Sequence, residues 1–408
     1  MRKINPLFHF LFLLLLLLTT TVQLTGADFF KERENALTPG RWQLGPFQIF
    51  PQFTLENVGY TDNIYGYTET PQPGWMADLG MRVKAVAVIG RRMVVVFEGH
   101  PYYSYFSAVD SERAFNAVLD AKVYSWLAGI HLMYGFQYGD TRSRPNREFA
   151  ARTRLYSNAH NLEAEFGKQG GVFFTLFARS SRMDFADEGF MERFNPGIRL
   201  NRSERDWGLR VNVPVFTATL LVFQAQFNRF LFDNFTERDG KALTISGGVR
   251  FPEIGHLTGN AEVGYKQYFP DTPGFTDFST LYGSGRVSYR FMRRWRLRVE
   301  YGIDNHFSFI DTQFYFNERS VQTGLDFYLT EKIRMGGSYR TGRHAYHRIQ
   351  DDALQFVEEY RQFEVQLAFR MRGTTGIGLS FSRQEWDSQR HDLQRGQYFI
   401  GGFLTHDF

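Results

Sequence analysis

Residues 295–304 read WRLRVEYGID. Trp295, Leu297, Val299, Tyr301 and Ile303 fall on one side of an extended chain, and Arg296, Arg298, Glu300, Gly302 and Asp304 on the other. Successive side chains of a strand point to opposite faces of the sheet, so one face here is wholly apolar and the other is charged. The same rhythm recurs at 115–124, 206–213, 221–228, 281–291 and 362–370. A soluble sandwich also alternates, but its strands usually run about 5–6 residues. These runs are about 10–15 residues, the length needed to cross a bilayer at a tilt. In lipid every backbone N–H and C=O needs a partner within the protein, and among sheets only a closed one provides it.

Composition points the same way. The chain has 408 residues, no cysteine, and 47 Lys+Arg against 43 Asp+Glu. Zero cysteine excludes disulfide scaffolds, thiol enzymes and cysteine-ligated metal sites. Near-neutral charge excludes a nucleic-acid binder built on a basic face. Mean hydropathy is negative, which excludes a bundle of many membrane helices. Yet 17% of residues are aromatic, including 43 Phe and 21 Tyr. A barrel with a greasy outside and a wet inside accounts for both facts.

The first segment reads as an address. Arg2 and Lys3 supply positive charge, 7–18 is apolar apart from His9, and 19–27 is small and polar, ending Thr25-Gly26-Ala27. This is the pattern of a secretory signal peptide cleaved after Ala27, with an uncleaved anchor helix as the alternative. Removing Arg2 and Lys3 leaves 45 basic against 43 acidic residues, a mature charge of about +2. The expected organisation is a signal peptide at 1–27, a short periplasmic segment at 28–46 and a barrel at 47–408.

Connections alternate in length. Short ones fall at 90–92, 128–129, 168–171, 213–215, 292–294, 331–332 and 371–374. Longer polar ones fall at 59–74, 108–111, 143–150, 186–202, 233–240, 270–277, 311–317, 347–353 and 387–395. Tight turns on one rim and long loops on the other is the arrangement of outer-membrane barrels, with the short side periplasmic. The count gives an all-β, antiparallel, up-and-down transmembrane β-barrel of about 18 strands, 16–18 in range. Its first strand is 47–57 and its last 397–408. An even number places both termini in the periplasm of a bacterial outer membrane. Residues 154–160 break the alternation, and 186–202 has room for a helix or an inward-folded loop.

The chain ends YFIGGFLTHDF, with Tyr398, Ile400, Leu404 and Phe408 on one face. This resembles the C-terminal strand by which the barrel assembly machinery recognises its substrates, and a free amphipathic strand can add to another sheet's edge. His406, where an apolar residue is commoner, departs from that pattern.

Residues 45–65 read GPFQIFPQFTLENVGYTDNIY. They resemble the opening strand of the putative beta-barrel porin type 2 family, bacterial outer-membrane barrels often associated with exopolysaccharide synthesis. The elements that carry the resemblance are Gly45-Pro46, Pro51, Gly59-Tyr60 and Asp62-Asn63-Ile64-Tyr65. Read by themselves, Pro51 costs a ladder hydrogen bond and suits a first or edge strand, and Asp62-Asn63 suits a turn or loop contact.

With the apolar face outside, about 14 basic residues face the lumen: Arg82, Lys84, Lys122, Arg179, Arg210, Arg250, Lys266, Arg286, Arg290, Arg296, Arg298, Arg334, Arg340 and Arg370. About nine acids join them: Asp120, Glu163, Glu165, Asp206, Glu262, Glu300, Asp304, Asp326 and Glu364. A ring of Arg in a low-dielectric passage concentrates anions, and its planar fork matches carboxylate and phosphate. Two readings follow. One is a pore for polar or anionic solutes, or a conduit exporting a polysaccharide. The other is a structural or assembly barrel whose charges pair across strands and fill the interior. An 18-strand barrel is wide enough for a water channel unless loops plug it.

No cofactor and no catalytic or metal site is expected. His344 and His347 are three apart and so fall on opposite faces of a strand, and Asp351-Asp352 with Glu358-Glu359 reads as a solvated loop rather than a cation site. Asp304 and His306 are close in sequence without making a rim hydrolase, the least favoured reading. The expected partners are outer-membrane lipid and lipopolysaccharide, the barrel assembly machinery and exopolysaccharide export components, and no nucleic acid. A siderophore-type transporter would need an N-terminal plug well over a hundred residues long, whereas the first strand starts near Phe47.

Overall fold

The computed structural model describes residues 42–408 apart from 67–70, 91, 128, 145–151, 168–170, 187–194, 217–218, 255, 309–314, 348–353, 372–373 and 391–393, together with the side chains of 252–254. Residues 1–27, read from the sequence as a signal peptide, most of the expected periplasmic segment, and Asp351-Asp352 lie outside the described residues.

A short strand, β1 (Trp42–Leu44), precedes eighteen long ones. These are β2 (Phe47–Thr61), β3 (Gly74–Ile89), β4 (Met93–Phe106), β5 (Ala114–Leu127), β6 (Ile130–Ser143), β7 (Thr153–Gly167), β8 (Phe173–Phe185), β9 (Arg202–Phe216) and β10 (Thr219–Phe232). They continue with β11 (Gly240–Ile254), β12 (Leu257–Pro270), β13 (Phe278–Phe291), β14 (Trp295–Phe307), β15 (Tyr315–Tyr328), β16 (Ile333–His347), β17 (Leu354–Met371), β18 (Thr375–Ser388) and β19 (Arg395–Asp407). Among the described residues, one α-helix of five residues, α1 (Pro196–Leu200), lies between β8 and β9. Each long strand pairs antiparallel with its sequence neighbours, and β19 pairs with β2 from Phe399↔Thr61 to Asp407↔Gln52, so the eighteen close into a barrel. No strand of the ring is left with an open edge, as hydrocarbon requires.

The outside is the greasy face. Trp75, Phe115, Ile245, Val263, Tyr265, Leu281 and Leu367 all stand exposed there. A continuous exposed apolar belt on a water-soluble monomer would be an aggregation surface; on a barrel it meets lipid. The strands run 13 to 18 residues, more than the ~9–11 that cross the hydrocarbon at a tilt, so their ends stand clear of it.

The inner face is identified by a contact across the ring. Phe185 at the end of β8 and Leu200 of α1 share one buried cluster with Phe316 of β15, Tyr346 of β16 and Phe356 of β17. Strands β8 and β16 lie on opposite sides of the barrel, so these side chains meet only through its interior. Even positions of β15 to β17 therefore point inward, and register carries the assignment around the ring.

Several boundaries differ from the sequence reading. Residues 154–160 are part of β7 rather than a break. Leu155 faces inward and packs against the buried cluster, while His160 faces outward and shares a hydrogen bond with the Tyr134 hydroxyl at 2.8 Å; where the interior is packed, apolar side chains point in. The turn expected at 213–215 lies later, because β9 continues to Phe216. The first strand reaches Thr61, past a bulge between Glu56 and Gly59 where Asn57 takes φ +51°. Residues 42–44 form β1 and extend the sheet.

Pro51 sits at a junction. On one side of β2, pairing passes from β19, which ends opposite Gln52, to β1, which begins opposite Ile49. The Pro51 carbonyl accepts from Phe408 N at 3.2 Å, so its missing N–H points into the gap between the two partners and leaves no ladder bond unmade. Beside it the Trp42 and Phe408 rings lie 6.3 Å apart.

Candidate functional site

The lumen divides into a charged lower part, toward the short turns, and a packed upper part, toward the long loops. Along the lumen many of the expected basic residues have acidic partners on the same or a nearby strand. Arg82 bonds Glu56 at 2.9 Å, Lys84 bonds Glu98 at 2.9 Å, Lys122 bonds Asp120 at 3.3 Å, Arg286 bonds Glu300 at 2.8 Å, Arg298 bonds Asp326 at 3.1 Å and Lys266 bonds Asp304 at 2.8 Å. Arg210 donates to Gln224 at 3.0 Å, and Arg370 stands 3.9 Å from Asp407. Arg179 is opposite Asp206, Glu163 and Glu165 are opposite Met133 and His131, and Glu364 is opposite Ser338 and Ser382. Ser246 donates to Glu262. Glu56, Glu98 and Asp407 were not among the acids read from sequence, so the positive excess is smaller than expected and much of it is paired.

One arc departs from this balance. Arg250 on β11, Arg290 on β13, Arg296 on β14 and Arg334 on β16 all sit near the short-turn rim. Arg290 and Arg296 are directly opposite one another in register, an arrangement of like charges that costs stability. Among the described residues, Arg250, Arg290, Arg296, Arg334 and Arg340 have no carboxylate within ion-pair distance. Arg334 donates to Gln366 at 2.7 Å, and Arg296 lies over the Tyr328 ring at 5.7 Å. Arg290 and Arg296, with Arg293 and Arg294 of the turn, line a cleft of about 420 Å³ at this rim.

The upper part is narrowed by a hairpin that leaves the wall. Strands β13 and β14 pair only up to Gly283↔Ile303, whereas β14 and β15 stay together to Phe307↔Tyr315. The free tip leans into the barrel, so that both its faces are covered. Its former outer face carries Phe307 and Tyr315, which pack on Phe230, Phe232, Tyr268 and Phe278 of the opposing inner wall. The Phe278 and Tyr315 rings stack at 3.7 Å and 4°. Its inner face carries Phe316, which lies 4.5 Å from His344 and 5.3 Å from Tyr346.

Arg238, at the turn Thr236–Arg238 of the β10–β11 loop, ties the upper loops together. It is fully buried and donates to the carbonyls of Ser308 above β14 and Arg199 in α1, while its own carbonyl accepts from the Tyr268 hydroxyl at 2.6 Å. α1 itself is positioned by Asn195, whose side chain caps Gly197 N at 2.9 Å, an N-cap followed by proline at the first helical position. Close by, Tyr65, in the loop after β2, packs against the upper cluster, and burial followed by the Glu112 charge pushes its phenol above the ordinary range.

The upper lumen also holds ionisable side chains that sequence reasoning did not place. His344 and Glu358 are fully buried and 3.7 Å apart, and Glu358 accepts from the Tyr346 hydroxyl at 2.9 Å. Glu358 is thus a buried strand residue, not part of a solvated loop. Asp304 bonds Lys266 and His306 stands 3.3 Å from Glu318, so each is engaged with a different partner. Among the described residues no three His, Cys, Asp or Glu side chains are grouped to hold a metal ion.

The residues of 45–65 that carry the family resemblance close the barrel. The Asp62 carboxylate accepts from Tyr398 N at 2.8 Å. The buried Asn63 side chain accepts from Gly66 N at 2.9 Å and donates to the Gly396 carbonyl at 3.3 Å. Gly59 is opposite Gly401, and any side chain there would collide with the Ile400 backbone. Tyr60 is opposite Ile400 and packs edge-on against Trp75 at 5.9 Å. Tyr398, Ile400 and Phe408 are exposed on the outer face, and Leu404 is opposite Ile377.

The family model for Putative beta-barrel porin 2 matches residues 40–401. No curated protein sequence matches the chain. Among solved structures it is similar to OpdO of Pseudomonas aeruginosa, at 11% identity and TM-score 0.51, with 88% of this chain and 97% of that one covered. It is similar to OccK2 (OpdF) of Pseudomonas aeruginosa in complex with glucuronate, at 12% identity and TM-score 0.50, covering 88% and 98%. The FrpB iron transporter of Neisseria meningitidis (F3-3 variant) follows at 10% identity and TM-score 0.45, with 83% of this chain covered and only 62% of that one spanned. At these identities the likeness shows the barrel fold. The chain belongs to the Putative beta-barrel porin 2 family, a porin-like β-barrel of the bacterial outer membrane.

Proposed function

We propose that this porin 2 family member is a pore for small polar solutes, with a mild preference for anions, narrowed at the cell-surface end by the inward β14–β15 hairpin. In this reading the short turns and both termini face the periplasm, and Tyr398, Ile400, Leu404 and Phe408 present the outer face of the last strand to the barrel assembly machinery. The observation that carries it is the arc of arginines without ion pairs at the short-turn rim. A filled structural barrel has no need for Arg290 to face Arg296 at a cost in stability, whereas a passage walled by low dielectric uses such charge to raise the local concentration of anions. Small solutes suit the upper lumen better than a polymer does, because a polysaccharide chain needs the whole hairpin displaced.

The filled barrel remains the second reading, favoured by the paired charges and the packed aromatic mouth. Recording single channels of the purified protein in planar bilayers decides between them. The pore gives discrete ion steps, and Arg290→Glu with Arg296→Glu moves the anion-to-cation permeability ratio toward cations. A folded barrel without steps refutes the pore, and an unchanged ratio refutes the anion preference.

A further inference from the structure

We infer that the arginine cleft at the short-turn rim binds a phosphomonoester, a small solute with one phosphate on a hydroxylated carrier. The inference rests on the pore reading and deepens it by naming a solute class, but binding itself does not depend on conduction. The cleft measures about 420 Å³, within the ~300–1,000 Å³ range of small-molecule sites.

Its charged and polar side chains are open to solvent. Arg290, Arg293 and Arg294 are exposed and Arg296 is half-buried; Thr330 and Glu331, in the turn between β15 and β16, are exposed as well. Arg290 and Arg296 share one point of the inner wall, directly opposite in register, and Arg293 and Arg294 belong to the turn that joins their strands. Four guanidinium groups thus converge from one hairpin end. Among the described residues none of the four has a carboxylate within ion-pair distance, although Glu331 lines the same cleft. The turn is also strained. Met292 and Arg293 take φ +49° and +55°, a left-handed conformation that residues other than glycine adopt at a cost, and such strain is characteristic of ligand clamps.

Three properties of the lining select the ligand. Like charges directly opposite on a sheet destabilise it, and two negative charges on one small group compensate four guanidinium groups better than one does. Next, arginine forks match phosphate oxygens. A phosphomonoester offers three of them to forks that arrive from two strands and a turn, where a carboxylate offers two in one plane. Finally, the far wall suits a hydroxylated carrier. The Thr330 hydroxyl oxygen accepts from Lys332 N and Ile333 N, each at 3.1 Å, which leaves its proton to donate to the ligand. The Glu331 carboxylate accepts from a ligand hydroxyl and repels a second phosphate.

The test is calorimetric titration of the detergent-solubilised native barrel, at low salt so that exposed charges are little screened. The probes are glucose 6-phosphate, glucose, acetate and dihexanoyl phosphatidylglycerol, a lipid whose phosphodiester carries one charge. Glucose 6-phosphate gives saturable binding, and the other three bind at least tenfold more weakly. The second phosphate proton leaves near pH ~6, so affinity for glucose 6-phosphate rises about tenfold from about pH 5 to about pH 7.5. Over that rise Asp326, opposite Arg296, and Glu331 gain negative charge, and His256, whose carbonyl accepts from Arg290 N, loses positive charge. Each of these changes weakens anion binding, so the increase belongs to the ligand. Arg293→Gln with Arg294→Gln weakens glucose 6-phosphate at least tenfold. Heat-modifiable gel mobility confirms folding, and Arg296→Gln takes the double variant's place if that one does not fold. The proposal is overturned by no saturable binding of glucose 6-phosphate at tens of millimolar, by acetate or the lipid binding as tightly, by an affinity that does not rise with pH, or by unchanged affinity in the folded variant. Ion steps without phosphomonoester binding sink this site and spare the pore; binding without ion steps does the reverse.

Discussion

Replacing Arg238 by methionine should loosen the long-loop mouth. The guanidinium reaches two carbonyls from two different segments, Ser308 and Arg199, so one side chain holds the β14–β15 tip and α1 together. Hydrogen bonds to a charged group contribute about 1.5–3 kcal/mol each. The contact to Arg199, at 3.3 Å, belongs at the weak end of that range. Methionine keeps much of the stem's packing and removes a buried charge, and both changes offset part of the loss. A net loss of about 3 kcal/mol shifts the closed-to-open ratio roughly a hundredfold. If the hairpin is in place ~99% of the time, the two states then become comparably populated. In planar bilayers the variant should show an open fraction at least ten times that of the native protein, with larger steps. Arg238→Lys should fall between, because both bonds come from Nη1 and the shorter lysine stem ends one bond short of that nitrogen while keeping the charge. Native open probability and step size in a correctly folded Arg238→Met barrel would refute the latch.

The outer surface was legible in the sequence because lipid tolerates little deviation. Every second residue of 295–303 must be apolar, and the alternation gave both the closed sheet and its strand number. The interior obeys no such rule. Near the long loops it is packed rather than wet, so aromatic residues occur at inward positions as well. The phase slip is visible in QFNRFLF at 226–232, where Phe227 faces out and Phe230 and Phe232 face in. Leu155, Phe316 and Tyr346 show the same departure, which made 154–160 look irregular. Two apolar faces in the upper third of adjacent strands are the signal that an inward element covers them, though sequence spacing does not say which one. The inward acids were miscounted for a different reason. The bulge at 56–59 reverses the facing of residues on either side of it, so Glu56 could not be assigned from alternation that continues unbroken. The hairpin that splits from β13 above Gly283 leaves only a faint trace, Asn305 and Ser279 at outward positions and Phe278 at an inward one, and alternation alone does not say that these two strands part.

Two further predictions concern the closing seam. Asn63→Ala removes the contacts to Gly66 N, Gln72 N and the Gly396 carbonyl, and should cost about 2–3 kcal/mol, seen as a lower urea midpoint in detergent. Gly59→Ala should do more than its single methyl suggests. A β-carbon at this position falls on the carbonyl and carbonyl carbon of Ile400 and on the Gly401 α-carbon. These are backbone atoms of the neighbouring wall, with no rotamer to change, so the methyl fits only if β2 and β19 part. Parting that strip leaves ladder groups of both strands without partners, and each unmet buried group costs several kcal/mol. The expected loss is about 4 kcal/mol or more, read as a barrel that fails to show the heat-modifiable gel shift of the native protein. Gly45→Ala is the matched comparison: its φ of +59° carries backbone strain, but no atom lies within 4 Å of the added carbon, so only ~1 kcal/mol is at stake. If Gly59→Ala folded as readily as Gly45→Ala, the close approach of β19 to β2 could not be what holds the cylinder shut.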